Sequence, residues 1–228
     1  MFGHLKRKRR PKDRAAATAP PDELMGRLVT SVDFCVLDCE MTGLDVARDE
    51  IISIGAVKIR DGVVVLDDSF YRVIRPKQTE MTRENVLIHR LTHDQVAEGE
   101  SAERVMDEFQ TFIQGSVLVG HFIAIDLGFL NRLNSTLGRE RPLQPACDTR
   151  YIHEWYLDHV IRQEVREPNE LRLPSICRRM NVPCFQEHHA FYDALSTAAL
   201  FLKQLDILAQ EDKYTLADVF KIGREQLA

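Results

Sequence analysis

Two acidic residues end a hydrophobic run in the segment VLDCEMTGLD (36–45). Asp38 and Glu40 are separated by one residue, so on a strand their side chains point to the same face. Their Cβ atoms then lie roughly 7 Å apart, because a strand rises about 3.3 Å per residue. Two carboxylates at that separation repel each other, and a divalent cation between them removes the repulsion. The pair therefore predicts a metal site at the end of a strand.

A third acidic residue lies in the segment VGHFIAIDLGFLNRL (119–133). Asp126 continues a stripe of apolar residues at helical spacing, formed by Leu130, Leu133 and Leu137. A carboxylate on that stripe faces the protein, where burial is costly unless it has a partner. It also follows a short buried strand, and open α/β sheets bind ligands at that end of their strands. The alternative is that Asp126 only caps its helix.

A fourth acidic residue and a histidine lie in EHHAFYDALSTAALFL (187–202). Asp193 lies beside the apolar stripe of a long predicted helix, and His188 precedes it by five positions. Five positions are about 500° around an ideal helix, so the two side chains would diverge if both were helical. They meet only if His188 lies on the loop that enters the helix. The pattern then predicts a mobile imidazole next to a fixed carboxylate, while His189 is interpreted as a capping or surface residue.

The elements that would position these residues change period along the chain. Three strand patterns come first, and Asp61-Gly62 is a hairpin turn signal between the second and the third. Helical patterns then alternate with short buried strands. Strands are predicted at 32–40, 50–60, 62–74 and 116–121, and helices at 101–114, 125–138, 149–165, 173–180, 190–210 and 215–226.

This order predicts an α/β fold with a mixed sheet, in which three antiparallel strands are followed by parallel strands and helices flank the sheet. The first strand would be central. Its second face carries Cys35, Leu37 and Cys39, which can pack under helices. Cys39 is therefore predicted to be a core residue and not a metal ligand.

The composition fits one α/β domain with a sizeable core, since the chain has 228 residues, of which 44 % are hydrophobic. The net charge of −5 is uneven, because residues 1–21 carry seven basic groups and one acid, which leaves −11 for the remainder. An acidic body argues against a broad phosphate-binding surface, so any nucleic-acid contact must be local or helped by metal ions. Residues 1–21 are predicted to be a disordered tail, either solvated or a basic arm that touches nucleic acid or a partner.

The cysteines and the hydropathy indicate the compartment. Five scattered cysteines without a CxxC pair argue against a disulfide framework and against a zinc site, and they fit a reducing cytosol. The basic start is not followed by an apolar segment, as it would be in a secretory signal. No apolar stretch approaches the ~20 residues of a membrane span. We therefore predict a soluble cytoplasmic protein with no membrane contact.

Three motifs, taken together, resemble those of a known family. DCEMTGL (38–44), VGHFIAIDLGFLN (119–131) and HHAFYDA (188–194) are similar, in order and spacing, to the three exonuclease motifs of the DEDDh 3′–5′ exonucleases. That family includes the proofreading epsilon subunit of bacterial DNA polymerase III and ribonuclease T. The resemblance covers about residues 31–208 and implies a ribonuclease-H-like fold, in agreement with the mixed sheet. It divides the chain into the basic tail, 1–21, and an exonuclease domain, 22–228.

The resemblance implies a reaction and a set of roles. The four acids of the family fall on Asp38, Glu40, Asp126 and Asp193, and its histidine falls on His188. The implied reaction is hydrolysis of the terminal phosphodiester at the 3′ end of a nucleic acid, with two Mg²⁺ ions for which Mn²⁺ can substitute. Asp38 and Glu40 would supply bridging oxygens, Asp193 would complete the first metal site, and Asp126 would hold the second. Glu40 and His188 are the implied catalytic residues, with His188 as the general base.

The turn after the first strand and the second motif are implied to meet the substrate. In the family, this turn contacts the terminal nucleotide, and the apolar residue after the glycine stacks or wedges at the last base. Here that residue is Leu44, and the alternative for it is ordinary core packing. Phe122 either stacks on a base or is a buried aromatic residue. The substrate-binding residues implied by the resemblance are Met41, Thr42, Gly43, Leu44, His121 and Phe122.

Two departures from the family leave the preferred substrate open. Phe122 stands where the family usually has Asn, and in VLIHRLT (86–92) Arg90 replaces the Gly of an Ile-His-Gly-Ile stretch. The leading hypothesis is a 3′–5′ exonuclease that acts on single-stranded or frayed DNA ends, with a DNA polymerase as a candidate partner. The alternatives are an RNA-trimming exoribonuclease and an inactive nucleic-acid-binding scaffold. Clustered carboxylates without a metal would be destabilising, which argues against the scaffold.

Overall fold

The computed structural model describes residues 22–77, 89–139, 146–163 and 167–223. The predicted tail, 1–21, and residues 86–88 of the VLIHRLT segment lie outside these ranges. Within the ranges the strands are β1 Phe34–Met41, β2 Ile51–Arg60, β3 Val63–Val73, β4 Val117–Gly120 and β5 Ala146–Asp148. The α-helices are α1 Asp22–Met25, α2 His93–Ala97, α3 Ala102–Ile113, α4 Ala124–Thr136, α5 Thr149–Tyr156, α6 Leu173–Met180, α7 Ala190–Gln210 and α8 Leu216–Gly223, with a 3₁₀ turn at Val29–Ser31 and a π-helical turn at Leu157–Ile161.

The five strands form one mixed sheet in the order β3-β2-β1-β4-β5. β1, β2 and β3 are antiparallel, whereas β4 pairs parallel to β1 and β5 parallel to β4. The tight turn between β2 and β3 has positive φ at Asp61 (49°) and Gly62 (73°), as a two-residue hairpin requires. The parallel strands are joined through helices, because a parallel pair needs a crossover. The predicted mixed α/β sheet and the central position of the first strand are confirmed.

The alternation of β1 divides the core between the two faces of the sheet. Cys35, Leu37 and Cys39 belong to a buried cluster that includes residues of α3 and α4. Phe34 and Val36 belong to the cluster on the other face, with α7 and α8, where the rings of Phe34 and Phe201 pack edge to face at 5.0 Å. Cys39 is buried, as predicted for a core residue. The polar end of β1, Asp38 and Glu40, therefore continues the face on which α7 lies.

A glycine on β2 allows the start of α7 to lie directly on the sheet. Gly55 pairs with Asp38 across β1 and β2. A Cβ atom at Gly55 would lie 2.2 Å from the backbone N of Phe191 and 2.3 Å from the backbone C of Ala190. Real Cβ atoms do not approach backbone this closely, so only glycine fits here. The contact fixes the first turn of α7, and with it Asp193, beside the end of β1.

None of the described helices combines the length and the apolar character that crossing a bilayer requires.

Candidate active site

Three of the sequence-predicted acids converge at the end of β1. Asp38 and Glu40 lie on one face of the strand, and Asp193 lies in the first turn of α7. One ligand atom from each of the three carboxylates lies within 4.8 Å of the others. The site thus combines two alternate positions on a strand with one position that is about 150 residues further along the chain.

Asp126 lies next to this group. It is buried in the first turn of α4, and its Oδ1 accepts a hydrogen bond of 2.9 Å from the backbone N–H of Cys39. Its own backbone N–H also interacts with the carboxylate, but the hydrogen bond to β1 shows that Asp126 does more than cap its helix. One oxygen of Asp126 is therefore hydrogen-bonded to β1 at Cys39, the residue between Asp38 and Glu40. The negative charge of Asp126 also raises the pKa of Asp38.

Burial, together with neighbouring charges, disfavours the ionised forms of Asp38, Asp126 and Asp193. Burial, followed by the charges of Asp126, Glu40 and Asp193, raises the pKa of Asp38 well above its ordinary value. Burial and the charge of Glu40 raise the pKa of Asp193 to about 7, against the backbone N–H groups of His189 and His188. Burial raises the pKa of Asp126 to about 8, although the N–H of Cys39 opposes it. This cluster favours either protons or cations.

The donor set fits a hard divalent cation. All donors are carboxylate oxygens, the kind of ligand that Mg²⁺ and Mn²⁺ prefer. Among the described residues, the ion pair formed by these acids is that of Glu40 Oε2 with His89, and Arg172 lines the same cleft as Asp38 and Asp193. Asp38, Glu40 and Asp193 could hold an ion between them, and Asp126 is placed to assist from the α4 side.

His188 lies on the loop before α7, as the spacing requires if it is to meet Asp193. Its backbone has φ of 60°, and its side chain is exposed. It lines an open cleft of about 200 Å³ together with Asp38 and Asp193. The backbone N–H groups at 188 and 189 interact with the Asp193 carboxylate, and that of His189 donates to Oδ2 at 3.2 Å. The loop thus fixes Asp193 through its backbone and leaves the imidazole of His188 free to face the cleft.

His189 is neither a side-chain cap nor an open surface residue. It is the N-terminal flanking residue of α7, but its side chain makes no capping hydrogen bond. Its ring stacks on Tyr71 at 4.7 Å and contacts Tyr192 at 4.7 Å. Burial lowers the pKa of its imidazole, so the neutral ring is favoured. Sequence pattern missed this stacking, because Tyr71 comes from β3.

The turn after β1 is held together by Asp49. Asp49 Oδ1 accepts from the Thr42 hydroxyl at 3.2 Å, and Oδ2 accepts from the N–H of Asp45 at 2.8 Å. A Cβ atom at Gly43 would lie 2.5 Å from Asp49 Oδ2, so a larger residue there would displace the Asp49 carboxylate from these hydrogen bonds. Leu44 is 77 % exposed, and the core-packing alternative for it is wrong.

Met41, at the end of β1, and His121, directly after β4, were also predicted to bind substrate, but their side chains make contacts within the protein. The Met41 side chain packs in the buried cluster on the side of α3 and α4. His121 uses both ring nitrogens within the protein, because Nε2 lies 2.8 Å from the carbonyl of Leu171 and Nδ1 lies 2.9 Å from the Thr149 hydroxyl. Burial lowers the pKa of His121 to about 4, so the neutral ring donates from Nε2 and accepts at Nδ1.

Both departures from the family pattern occupy left-handed backbone. Phe122 has φ of 59° and Arg90 has φ of 57°. Asn and Gly adopt this region readily, whereas it costs other residues roughly 1–2 kcal/mol. Phe122 is 37 % exposed, so it is not the buried aromatic residue of the second interpretation. The backbone geometry explains why Asn and Gly suit these positions.

Several residues at the site carry no strong sequence signal of their own. His89 Nδ1 forms an ion pair with Glu40 Oε2. The sequence pointed to His89 only through the resemblance of VLIHRLT to the Ile-His-Gly-Ile stretch of the family. Arg172 lines the cleft with Asp38, although it belongs to an irregular segment between α5 and α6. Arg150 lies over the Phe122 ring, 5.1 Å from its centroid. These contacts bring together segments that are distant in sequence, so no local pattern could reveal them.

Comparison with known proteins gives the family. The profile of the RNase_T family, described as "Exonuclease", matches residues 35–201. The chain belongs to this exonuclease family. Among curated relatives, it is 32 % identical over 179 residues to the PolC-type DNA polymerase III of Thermotoga petrophila and 28 % identical over 184 residues to that of Halalkalibacterium halodurans. The matches cover 77 % and 79 % of the chain, but the chain spans only 12 % of each relative.

Solved structures of exonucleases share the fold. E. coli exonuclease I in complex with a dT13 oligonucleotide superposes with a TM-score of 0.68 at 14 % identity, over 79 % of this chain and 42 % of that one. The nuclease domain of 3′hExo, a DEDDh family member bound to rAMP, gives a TM-score of 0.65 at 15 % identity, over 83 % and 97 %. The resemblance to DEDDh exonucleases seen in the sequence is thereby confirmed.

Proposed function

We propose that this chain is a metal-dependent 3′–5′ exonuclease that releases nucleoside monophosphates from single-stranded or frayed DNA ends. The observation that carries the proposal is the convergence of Asp38, Glu40 and Asp193 at the end of β1, in a cleft that His188 also lines. Membership of the exonuclease family and the fold shared with 3′hExo support it.

The acids would hold two Mg²⁺ ions, for which Mn²⁺ substitutes. Asp38, Glu40 and Asp193 would supply the first set of oxygens, and Asp126 would join on the second side. When bound, the ions neutralise charge at the phosphate and lower the pKa of water. Their binding would also relieve the repulsion that raises the pKa values of Asp38 and Asp193.

His188 is the general base in this proposal. Its side chain is exposed on the loop at the cleft, so it can accept a proton from the attacking water once a substrate closes the site. An imidazole is the side chain that most often serves as a general base, which suits the task. The left-handed backbone at His188 is consistent with a functional constraint, because strained residues concentrate at such sites.

The substrate end would be received by the turn after β1 and by the second motif. Leu44, which is exposed, is placed by the proposal against the terminal base, and Gly43 and Thr42 shape the turn that presents it. Residues 1–21 would form a separate basic tail that adds salt-sensitive affinity for nucleic acid. Because the curated relatives are DNA polymerases, a DNA polymerase is the partner to test first.

RNA is the second candidate substrate, because the 3′hExo domain of the same fold holds rAMP. Matched 5′-labelled DNA and RNA oligonucleotides, incubated with Mg²⁺ or with chelator, test both. We expect stepwise shortening from the 3′ end that needs the metal, with DNA degraded faster. Asp38→Ala and Asp193→Ala should remove nearly all activity, whereas Asp206→Ala, an exposed acid on the same helix as Asp193, should not. Internal cleavage, or activity in chelator, would contradict the proposal.

A further inference from the structure

Phe122 presents an aromatic ring on the open side of the site. The residue is 37 % exposed, and its backbone is held in the left-handed region with φ of 59°. The backbone N–H of Phe122 donates to Asp148 Oδ1 at 3.1 Å, and the His121 ring packs edge-on at 4.8 Å. The hydrogen bond thus holds the backbone of Phe122, and the His121 ring supports the side chain from one side.

Arg150 is fixed by the same carboxylate oxygen. Asp148 Oδ1 also accepts a hydrogen bond of 2.8 Å from the backbone N–H of Arg150. The Arg150 guanidinium lies 5.1 Å from the centroid of Phe122 and 3.9 Å from that of Tyr151. Phe122 and Arg150 therefore form one surface, which we call the Phe122–Arg150 platform, and a single anchor at the end of β5 positions both members.

The Phe122 side of the platform lines the proposed active-site cleft, and Arg150 lies behind it, where it also pairs with Glu154. Phe122 lines the same cleft as Asp38, His188 and Arg172. Its anchor is at the end of β5, and β4 separates β5 from β1. Because neighbouring strands are about 4.8 Å apart, the anchor lies roughly 10 Å from β1. Phe122 itself follows β4, the strand next to β1, so a base on its exposed ring would lie beside the acids of β1.

We propose that the Phe122–Arg150 platform is a stacking subsite for the base of the nucleotide next to the one being released. The inference rests on the proposed function and deepens it. Stacking on an aromatic face is tolerant of sequence, and a nearby guanidinium adds both cation–π contact and attraction to phosphate. A base inside a duplex has both faces covered by its neighbours, so the platform would favour single-stranded ends.

The subsite predicts a dependence on substrate length. The thymidine 5′-monophosphate p-nitrophenyl ester offers one nucleotide, whereas dT8 also offers a neighbouring base. We expect Phe122→Ala to lower the ratio of kcat/KM for dT8 to that for the ester by roughly 5- to 150-fold, mainly through KM. Phe122→Tyr should restore the ratio, and Arg150→Gln should lower it in the same direction. rU8 should show a similar factor, because stacking does not read the 2′-OH.

Two further variants separate a loss of stacking from a loss of folding. Phe122→Asn suits the left-handed backbone and lacks a stacking face, so it should behave like Phe122→Ala while remaining well folded by circular dichroism. Tyr214→Ala is the matched control, since Tyr214 is 46 % exposed and bonds to Val29, ahead of the N-terminal end of β1. Its ratio should not change.

The outcomes separate the subsite from the proposed function. If the wild-type chain hydrolyses neither substrate, the proposed function fails. If the chain is active but the Phe122 variants leave this ratio unchanged, the subsite is overturned. The same holds if the variants lower kcat/KM equally for dT8 and for the ester. Anisotropy of labelled dT8 in Ca²⁺ measures the subsite without turnover, and an unaltered Kd in Phe122→Ala and Phe122→Asn would also overturn it.

Discussion

Gly55→Ala should damage the metal site without touching a ligand. The added Cβ would lie 2.2 Å from Phe191 N and 2.3 Å from Ala190 C, and both are backbone atoms that cannot rotate away. Ordinary contact between such atoms needs about 3.5 Å, so the first turn of α7 must move by roughly 1 Å. Asp193 lies in that turn and would move with it. Overpacking of this kind costs about 1–3 kcal/mol of the free energy of unfolding.

The larger effect should fall on activity. A displacement of about 1 Å in a positioned group can cost about 10²-fold in rate. The assay is the single-turnover rate on a 5′-labelled oligonucleotide, together with Mn²⁺ affinity by titration calorimetry and stability by urea denaturation. We expect a loss of about 10²-fold in rate per folded molecule and weaker Mn²⁺ binding.

Gly26→Ala is the control for this substitution, because among the described residues, apart from its chain neighbours, no atom lies within 4 Å of a Cβ at Gly26. Its rate and Mn²⁺ affinity should equal those of the wild type. If Gly55→Ala were destabilised but kept the wild-type rate per folded molecule, Gly55 would only serve packing. If it kept both rate and stability, the direct seating of α7 on β2 would be refuted.

Three further predictions follow from the same site. Since burial raises the pKa of Asp193 to about 7, metal-free protein should lose stability as pH rises from about 4 to about 7, and Asp193→Asn should flatten this slope in chelator melting curves. A steeper slope in the variant would contradict it. Arg90→Gly should raise the free energy of unfolding by about 0.5–1 kcal/mol by urea denaturation, because φ is 57°, whereas Arg75→Gly should lower it. His188→Ala should lower turnover by roughly 10²–10⁴-fold, with Mn²⁺ affinity by titration calorimetry little changed. Lost metal binding, or a greater loss of turnover in His189→Ala, would reassign the base.

The sequence alone determined the order of β1 to β4 and of the longer helices, and the positions of the acids along them, whereas the three-residue strand β5 was not predicted. Alternation puts Asp38 and Glu40 on one face of β1, since adjacent residues of a strand point to opposite sides. Helical spacing turns Asp126 toward the protein, and the five-residue gap requires His188 to precede the helix of Asp193. These conclusions depend on local geometry, which is repeated in every strand and helix.

Only the tertiary structure decided how these pieces meet. The Asp126 carboxylate bonds to the N–H of Cys39, and Gly55 sets the height of α7 above the sheet, through contacts between segments far apart in sequence. Leu44 has the apolar character of a core residue, but the Asp49-held turn leaves it exposed. Phe122 and Arg150 share one surface because a single oxygen of Asp148 binds both backbones. Such contacts depend on distances across the fold, and no periodicity in the chain encodes them.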